Sequence, residues 1–367
     1  MRRPLLLPLL TLAACAEPPT AATPAASLPR GAVVTYAPQL LPTPSDRPTG
    51  VAYAINSGDI AVGWVEGPAA ARQAVYWTAT GQLGVLPVPI LRGWRYVTEA
   101  HAINGSNAVA GRLTATGPGP FGTSTAAAYW PSLTSAPITF GLSGYPAEAF
   151  DVNSNGVVVG QTMTATGSSG FVWSSTRGFQ LLPLPPGDTQ AAALAVNDQG
   201  RIVGWGIGLF GCRTALQWTP IRGGSYGVAE LTLPGACSSV ARDINGSGVI
   251  VGYSAGGGPA IAVRFGGGLV TSLAQPTVSD AFAVNAIGRI VGVRSYAVDT
   301  AFVVAPGGAG EPITPPSYSP RQSAALGVSD CGTIVGADYL GTAWWPSPSL
   351  FSSPRPVRWN GGHPDCV

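Results

Sequence analysis

A twelve-residue phrase constrains this chain more than any other feature, because the chain writes it seven times. The copies are "AYAINSGDIAVG" at 52, "AHAINGSNAVAG" at 100, "AFDVNSNGVVVG" at 149, "ALAVNDQGRIVG" at 193, "ARDINGSGVIVG" at 241, "AFAVNAIGRIVG" at 281 and "ALGVSDCGTIVG" at 325. Within the phrase the spacing is fixed. A turn-opening residue (Asn56, Asn104, Asn153, Asn197, Asn245, Asn285 or Ser329) stands seven positions before a glycine (Gly63, Gly111, Gly160, Gly204, Gly252, Gly292 or Gly336). Between phrases the spacing varies from 40 to 49 residues, as expected of a rigid unit joined by loops. Three residues after the opener stand Asp59, Asn107, Gly156, Gly200, Gly248, Gly288 and Gly332. Those types best tolerate the left-handed backbone of a type I turn followed by a bulge. The phrase therefore reads as a β-hairpin. Its first strand opens with Ala in every copy, which suits the crowded innermost position near an axis.

Two further phrases follow each hairpin. One is "AVYW" at 74, "AAYW" at 127, "GFVW" at 170, "ALQW" at 215, "AVRF" at 262, "AFVV" at 301 and "PVRW" at 356. The other is a short apolar segment such as "GVLP" at 84, "QLLP" at 180 or "LTLP" at 231. Each unit thus has four short strands, the size of a β-propeller blade. After "PVRW" the third phrase is missing, whereas a spare one, "APQLLP" at 37, precedes the first unit. An open solenoid would need capping units instead of matched halves at its two ends. The expected fold is all-β: a seven-bladed β-propeller of four antiparallel strands per blade, its ring closed by an N-terminal strand that completes the last blade. The units resemble the HAF repeats of bacterial extracellular proteins, in which an Ala-x-x-Ile-Asn-x-x-Gly-x-Val-Val-Gly phrase precedes one like Ala-Phe-x-Trp. The resemblance spans residues 37–359, departs at "AFVV" and "PVRW", and carries no common function and no catalytic residue.

The N-terminus, "MRRPLLLPLLTLAAC", is a positive start followed by an apolar run too short to span a bilayer, hence a secretory signal. Its Leu12-Ala13-Ala14-Cys15 ending resembles the lipobox of bacterial lipoproteins. That resemblance implies acylation of Cys15, which becomes the mature N-terminus. Ala16 follows, where Asp would resemble an inner-membrane retention signal, so the expected address is the outer membrane or cell surface. Residues 1–15 are then the signal, 16–31 a Pro/Ala/Thr-rich tether and 32–367 a single domain. The closing strand runs from bottom to top, so the tether enters at the bottom face, where the one-to-two and three-to-four turns lie.

Charged residues are only 10% of the chain, against roughly 25% in soluble domains, and the net charge of +2 offers no basic stripe for nucleic acid. Partners are therefore expected to be the membrane, through the lipid, and a glycan, peptide or protein ligand, with the chain itself monomeric. No cofactor motif, nucleophile elbow or phosphate loop occurs. The longer segments at 88–98, 112–125, 314–322 and 337–355 fall on the top face of neighbouring blades seven, one and two. Their aromatics Trp94, Tyr96, Phe121, Trp344, Trp345 and Phe351, with Tyr318 and Tyr339, form the candidate ligand surface; alternatively they roof the blades' own core. Glu99, Glu148 and Asp280 share one repeat position at the top of the innermost strand. They read either as solvated strand ends, the plainer account, or as a partial carboxylate ring at the channel mouth. His101 shares its position with Tyr53, Phe150, Leu194, Arg242, Phe282 and Leu326 and reads as a packing residue. The function expected is a lipid-anchored binding or scaffold protein. The rival is a polysaccharide lyase or hydrolase, which would need His, Tyr, Arg or paired carboxylates gathered on the axis.

Besides Cys15 there are four cysteines. Cys212 and Cys237 fall in top loops, Cys331 and Cys366 at the bottom, so any other pairing would cross the disc, beyond the ~7 Å limit between Cα atoms. The expected disulfides are Cys212–Cys237 and Cys331–Cys366.

Overall fold

The computed structural model describes residues 36–361, apart from 120–121, 209–210, 232–237, 257, 267–268, 274–277, 296–297, 307, 309, 314–321 and 341–351. All of them lie in the compact unit Thr35–Val367. They form seven four-stranded antiparallel sheets, six of them with strands in simple chain order. In the seventh, Tyr36–Leu40 pairs with Ser352–Gly361, placing Leu40 opposite Val357 and closing the ring. The innermost strands are Thr49–Ile55, Arg95–Ile103, Ala147–Val152, Asp188–Val196, Ser239–Ile244, Val278–Val284 and Gln322–Val328. Each contacts the innermost strand of both neighbours. The protein is a seven-bladed β-propeller.

The phrase owes its grammar to a bulge. In blade one Ala52 faces Gly63 and Ala54 faces Val62, so Tyr53 is an extra residue on the inner strand. The same register shift falls at His101, Phe150, Leu194, Arg242, Phe282 and Leu326. A bulge bends its strand and re-aims one side chain. Next to each bulge, the carbonyl before the phrase comes up against the partner strand. A Cβ on Gly63 would sit 1.9 Å from the Val51 oxygen, and one on Gly252 2.0 Å from the Val240 oxygen. Only glycine fits there. The turn residues take positive φ, 55° at Asp59 and 64° at Asn107, with glycine in the other five blades.

The turn-opening asparagines do more than open turns. In Asn56 the side-chain oxygen accepts from the backbone N–H groups of Gly58 and Ile60, while its Nδ2 donates 3.0 Å to the Asn104 carbonyl of the next blade. Nδ2 bonds of 2.9–3.1 Å run likewise from Asn104 to Asn153, Asn197, Asn245, Asn285 and Ser329 in turn. Ser329 is too short to carry this belt across the seam. There the Arg358 guanidinium donates to the carbonyls of Ala79 (2.7 Å), Asp59 (2.8 Å) and Thr78 (3.2 Å), and Thr333 Oγ1 donates to Asp59.

Between blades the core is filled by the last aromatic of the third strand. Trp77, Trp130 and Trp218 are fully buried, and their indole N–H groups donate to the carbonyls of Pro42, Pro87 and Pro183. Those prolines end the outer-strand phrase of the preceding blade. The two departures from the repeat still fill the core, with Val304 at 2% and Trp359 at 0% exposure.

Several top segments are more strand and less loop than the sequence implied. Blade two's hairpin runs through Val109–Thr116 and Thr123–Trp130, its inner strand begins at Arg95, and in blade seven Ile334–Leu340 is strand. Tyr339 is therefore a core residue, 1% exposed, its hydroxyl donating 2.9 Å to Asp299. In blade two the pairing continues without a break from Val109 opposite Trp130 to Thr116 opposite Thr123, which leaves few residues to the loop.

Candidate functional site

The seven bulged residues, Tyr53, His101, Phe150, Leu194, Arg242, Phe282 and Leu326, line one axial cavity of about 480 Å³. The position packs as well as lines: Leu326 is buried in a core cluster that Tyr53 and Phe282 pack against, and His101 packs its ring against Tyr53 and Phe150, while the bulge gives all seven a share in the axial cavity. Glu99, Arg112, Glu148, Gln161, Trp205 and Arg213 complete the polar part of the wall. The volume falls within the ~300–1,000 Å³ range of small-ligand sites.

On the blade two–three side the wall is an ion network. Glu99, 2% exposed, takes Arg72 at 3.1 Å and also Arg112 on Oε1. Arg72 also binds Glu66 at 2.6 Å and lies 4.1 Å from the Trp64 ring centre. His101 Nε2 stands 3.4 Å from Glu99 Oε2 and 3.4 Å from Glu148 Oε1. Its Nδ1 lies 2.9 Å from the Ala149 carbonyl; a carbonyl only accepts, so Nδ1 carries a proton. Nε2 then needs a proton or a cation, because a bare lone pair would face two carboxylates. Burial opposes the charged imidazolium, but the bond to Glu99 and the charges of Glu148 and Glu99 outweigh it and raise the His101 pKa. Burial also works against the Glu99 carboxylate, and His101 and Arg112 overcome it, holding the group well below the usual carboxylate range. Edge-on to His101, at 5.3 Å between ring centres, stands Tyr53, whose phenol is pushed up by burial and by Glu99.

The donors of Glu99, His101 and Glu148 lie within 4.8 Å of one another and could hold a divalent cation. Two guanidiniums already crowd that position. With His101 protonated, Arg72, Arg112 and His101 balance Glu66, Glu99 and Glu148, three charges against three. A proton suits the site better than a metal.

The carboxylate set thus divides. Glu99 and Glu148 meet at one wall, but Asp280 lies in another blade, fully buried, its Oδ2 accepting 3.0 Å from Arg242 Nε. Burial pushes Asp280 up to about 7, against the pull of Arg242. Neither Glu99 nor Asp280 is a solvated strand end, and the three do not form a ring. Three residues further along the inner strands, Asp151 accepts from the N–H groups of Val152 and Val196, and Asp243 from those of Ile244 and Val284. Burial raises Asp151 to about 7, helped by the charge of Asp243, which burial itself raises to about 6.

Of the aromatic loop residues, Trp94 is half-buried in the turn before the blade-two inner strand. Tyr96 is in that strand and packs on the core cluster of Trp130 and Leu113, so it belongs to the blade rather than to a surface. Phe121, Trp344, Trp345, Phe351 and Tyr318 lie outside the described residues, as do Cys15, Cys237 and Cys366. Cys212 and Cys331 are each disulfide-bonded. The sequence did hold a signal for the cavity: one variable, largely bulky position inside an otherwise small-residue strand.

Fold and cavity together define a propeller with an axial site. No family model and no curated protein matches the chain. Solved structures show the same fold at low identity. Puromycin hydrolase in complex with PGG is 14% identical at a TM-score of 0.54, over 81% of this chain. A catalytically inactive histidine variant of virginiamycin B lyase from Staphylococcus aureus with quinupristin is 11% identical at 0.53, over 89% of this chain and 99% of that one. A puromycin-hydrolyzing peptidase from Mycobacterium tuberculosis is 10% identical at 0.51, over 84% of this chain and 52% of that one. The chain spans about half of puromycin hydrolase, 50% of its length.

Proposed function

We propose that this protein binds a small ligand, or the end of a glycan or peptide, in the axial cavity of the propeller. One observation carries the reading: seven equivalent bulges deliver side chains of five kinds, Tyr, His, Phe, Leu and Arg, to a single cavity. Structural side chains would repeat from blade to blade, as the Ala, Asn and Gly of the phrase do. Cys15 is proposed as the lipid attachment that holds the protein at the outer membrane or cell surface, with residues 16–31 as the tether. Trp94 stands in the turn just before the strand that carries Glu99 and His101, so the loop entering blade two forms part of the approach to the cavity.

A glycan and peptide array probed with the full chain carrying Cys15→Ser tests this. Leu326→Trp, which fills the cavity without altering charge, should abolish retention on the array. Binding that survives Leu326→Trp but is lost with Trp94→Ala would move the site to the loops.

A second reading rests on His101, a protonated imidazole between two carboxylates at a ligand-sized cavity, beside Tyr53. That is an acid–base group of the kind a hydrolase or lyase needs. Release of a product from an array ligand, lost in His101→Gln with binding retained, would establish catalysis.

A further inference from the structure

We propose that the axial cavity takes a carboxylate ligand with an apolar or aromatic body, its carboxylate seated on Arg213. The inference rests on the cavity as the binding site and names its ligand class. The charges around the cavity pair off, apart from one. Arg72, Arg112 and His101 face Glu66, Glu99 and Glu148, and Arg242 holds Asp280. Arg213 remains. Its guanidinium carbon lies 4.4 Å from the ring centre of Trp205, and both side chains line the cavity. Among the described residues, neither an ion pair nor a side-chain hydrogen bond engages that guanidinium.

Stacking on an indole fixes the plane of a guanidinium and leaves its edge, with the forked N–H groups, to a planar anion. A carboxylate meets that fork with two parallel charge-assisted bonds. A neutral ligand would desolvate Arg213 and give it nothing in return, which is unfavourable. One unmatched charge selects one anionic group. Phe150, Leu194, Phe282 and Leu326, four of the seven bulge side chains, give the cavity an apolar stretch beside its polar wall, against which the body of the ligand would lie. A fully hydroxylated body would lose its hydration there, and a hydrocarbon or aromatic one would not.

The test is a fluorescence titration of the full chain carrying Cys15→Ser with 2-naphthoate and 2-naphthamide, which share shape and differ in charge. Naphthoate should bind at least about tenfold more tightly than naphthamide, the difference expected when a charge-assisted pair is lost. In Arg213→Met the preference should vanish, with naphthamide bound no more weakly than in the unaltered cavity, and added salt should weaken only naphthoate. Equal affinities in the unaltered cavity, both abolished by Leu326→Trp, would overturn the carboxylate inference and leave the cavity as the site. Naphthoate binding that survives Leu326→Trp would overturn the cavity reading itself. Failure of both probes to bind would also sink the inference, since the class it names includes them.

Discussion

Gly252 shows at the residue scale why the phrase is so strict. A side chain there meets the Val240 carbonyl at 2.0 Å, a backbone atom that the bulge at Arg242 holds in place. Gly252→Ala should destabilise the domain by about 2–4 kcal/mol in chemical denaturation, the range for changes that force backbone movement. Gly58→Ala meets only the Asn56 side-chain oxygen at 3.4 Å and should stay within about 0.5 kcal/mol. Equal effects would refute the carbonyl contact as the reason for the seventh-position glycines. Titrating residues give a second expectation. Asp151 and Asp280 are raised to about 7 and Asp243 to about 6, against roughly 3.9 unfolded. Between those values the folded state holds protons that the unfolded state has lost, so stability falls as pH rises through the window. His101, also raised, contributes stability that is fully present below its unfolded pKa of ~6.5 and lost as pH rises through the folded value. Both act in one direction, and the lowered Glu99 matters only in acid. The melting temperature should be higher near pH 5 than near pH 8, with a shallower slope in Asp280→Asn. A profile that rises toward pH 8 would contradict these assignments.

The elements are joined by two different devices. Six blade-to-blade joints are made by asparagine Nδ2 bonds, and the seventh by Arg358 on three carbonyls. Arg358→Met keeps the stem and strips the carbonyls of Ala79, Asp59 and Thr78 of their donor. The expected loss is about 1.5–3 kcal/mol, the scale of hydrogen bonds from a charged group, since the acceptors lie at the partly exposed seam. Asn197→Ala removes one belt bond and the Arg201 N–H acceptor, and should cost about 1–3 kcal/mol. The sequence showed the asparagines as turn openers, because turn chemistry is local. Their second bond was invisible, since it reaches a carbonyl 40 to 49 residues away.

Across the whole molecule, ring closure depends on Tyr36–Leu40 at the edge of Ser352–Gly361. Deleting residues 1–41 should expose that edge, lower the melting temperature and promote association, detectable by light scattering. Disulfides of Cys212 with Cys237 and of Cys331 with Cys366 would each add ~3–4 kcal/mol on the loop-entropy estimate. Non-reducing peptide mapping should recover both pairs, and Cys212 joined to Cys331 would contradict the strand order. What the sequence determined by itself was everything that repeats: the seven units, their four strands, the hairpin turns and the donated closing strand. Each follows from short-range rules, alternation and turn residues, read several times over. What only the tertiary structure decided was everything that does not repeat. Glu99, His101 and Arg112 of blade two, Glu148 of blade three, Arg213 of blade four and Arg242 of blade five meet at one cavity. They do so because seven bulges turn toward a common axis. A bulge is a feature of pairing between strands, and the axis exists only once all seven blades are in place.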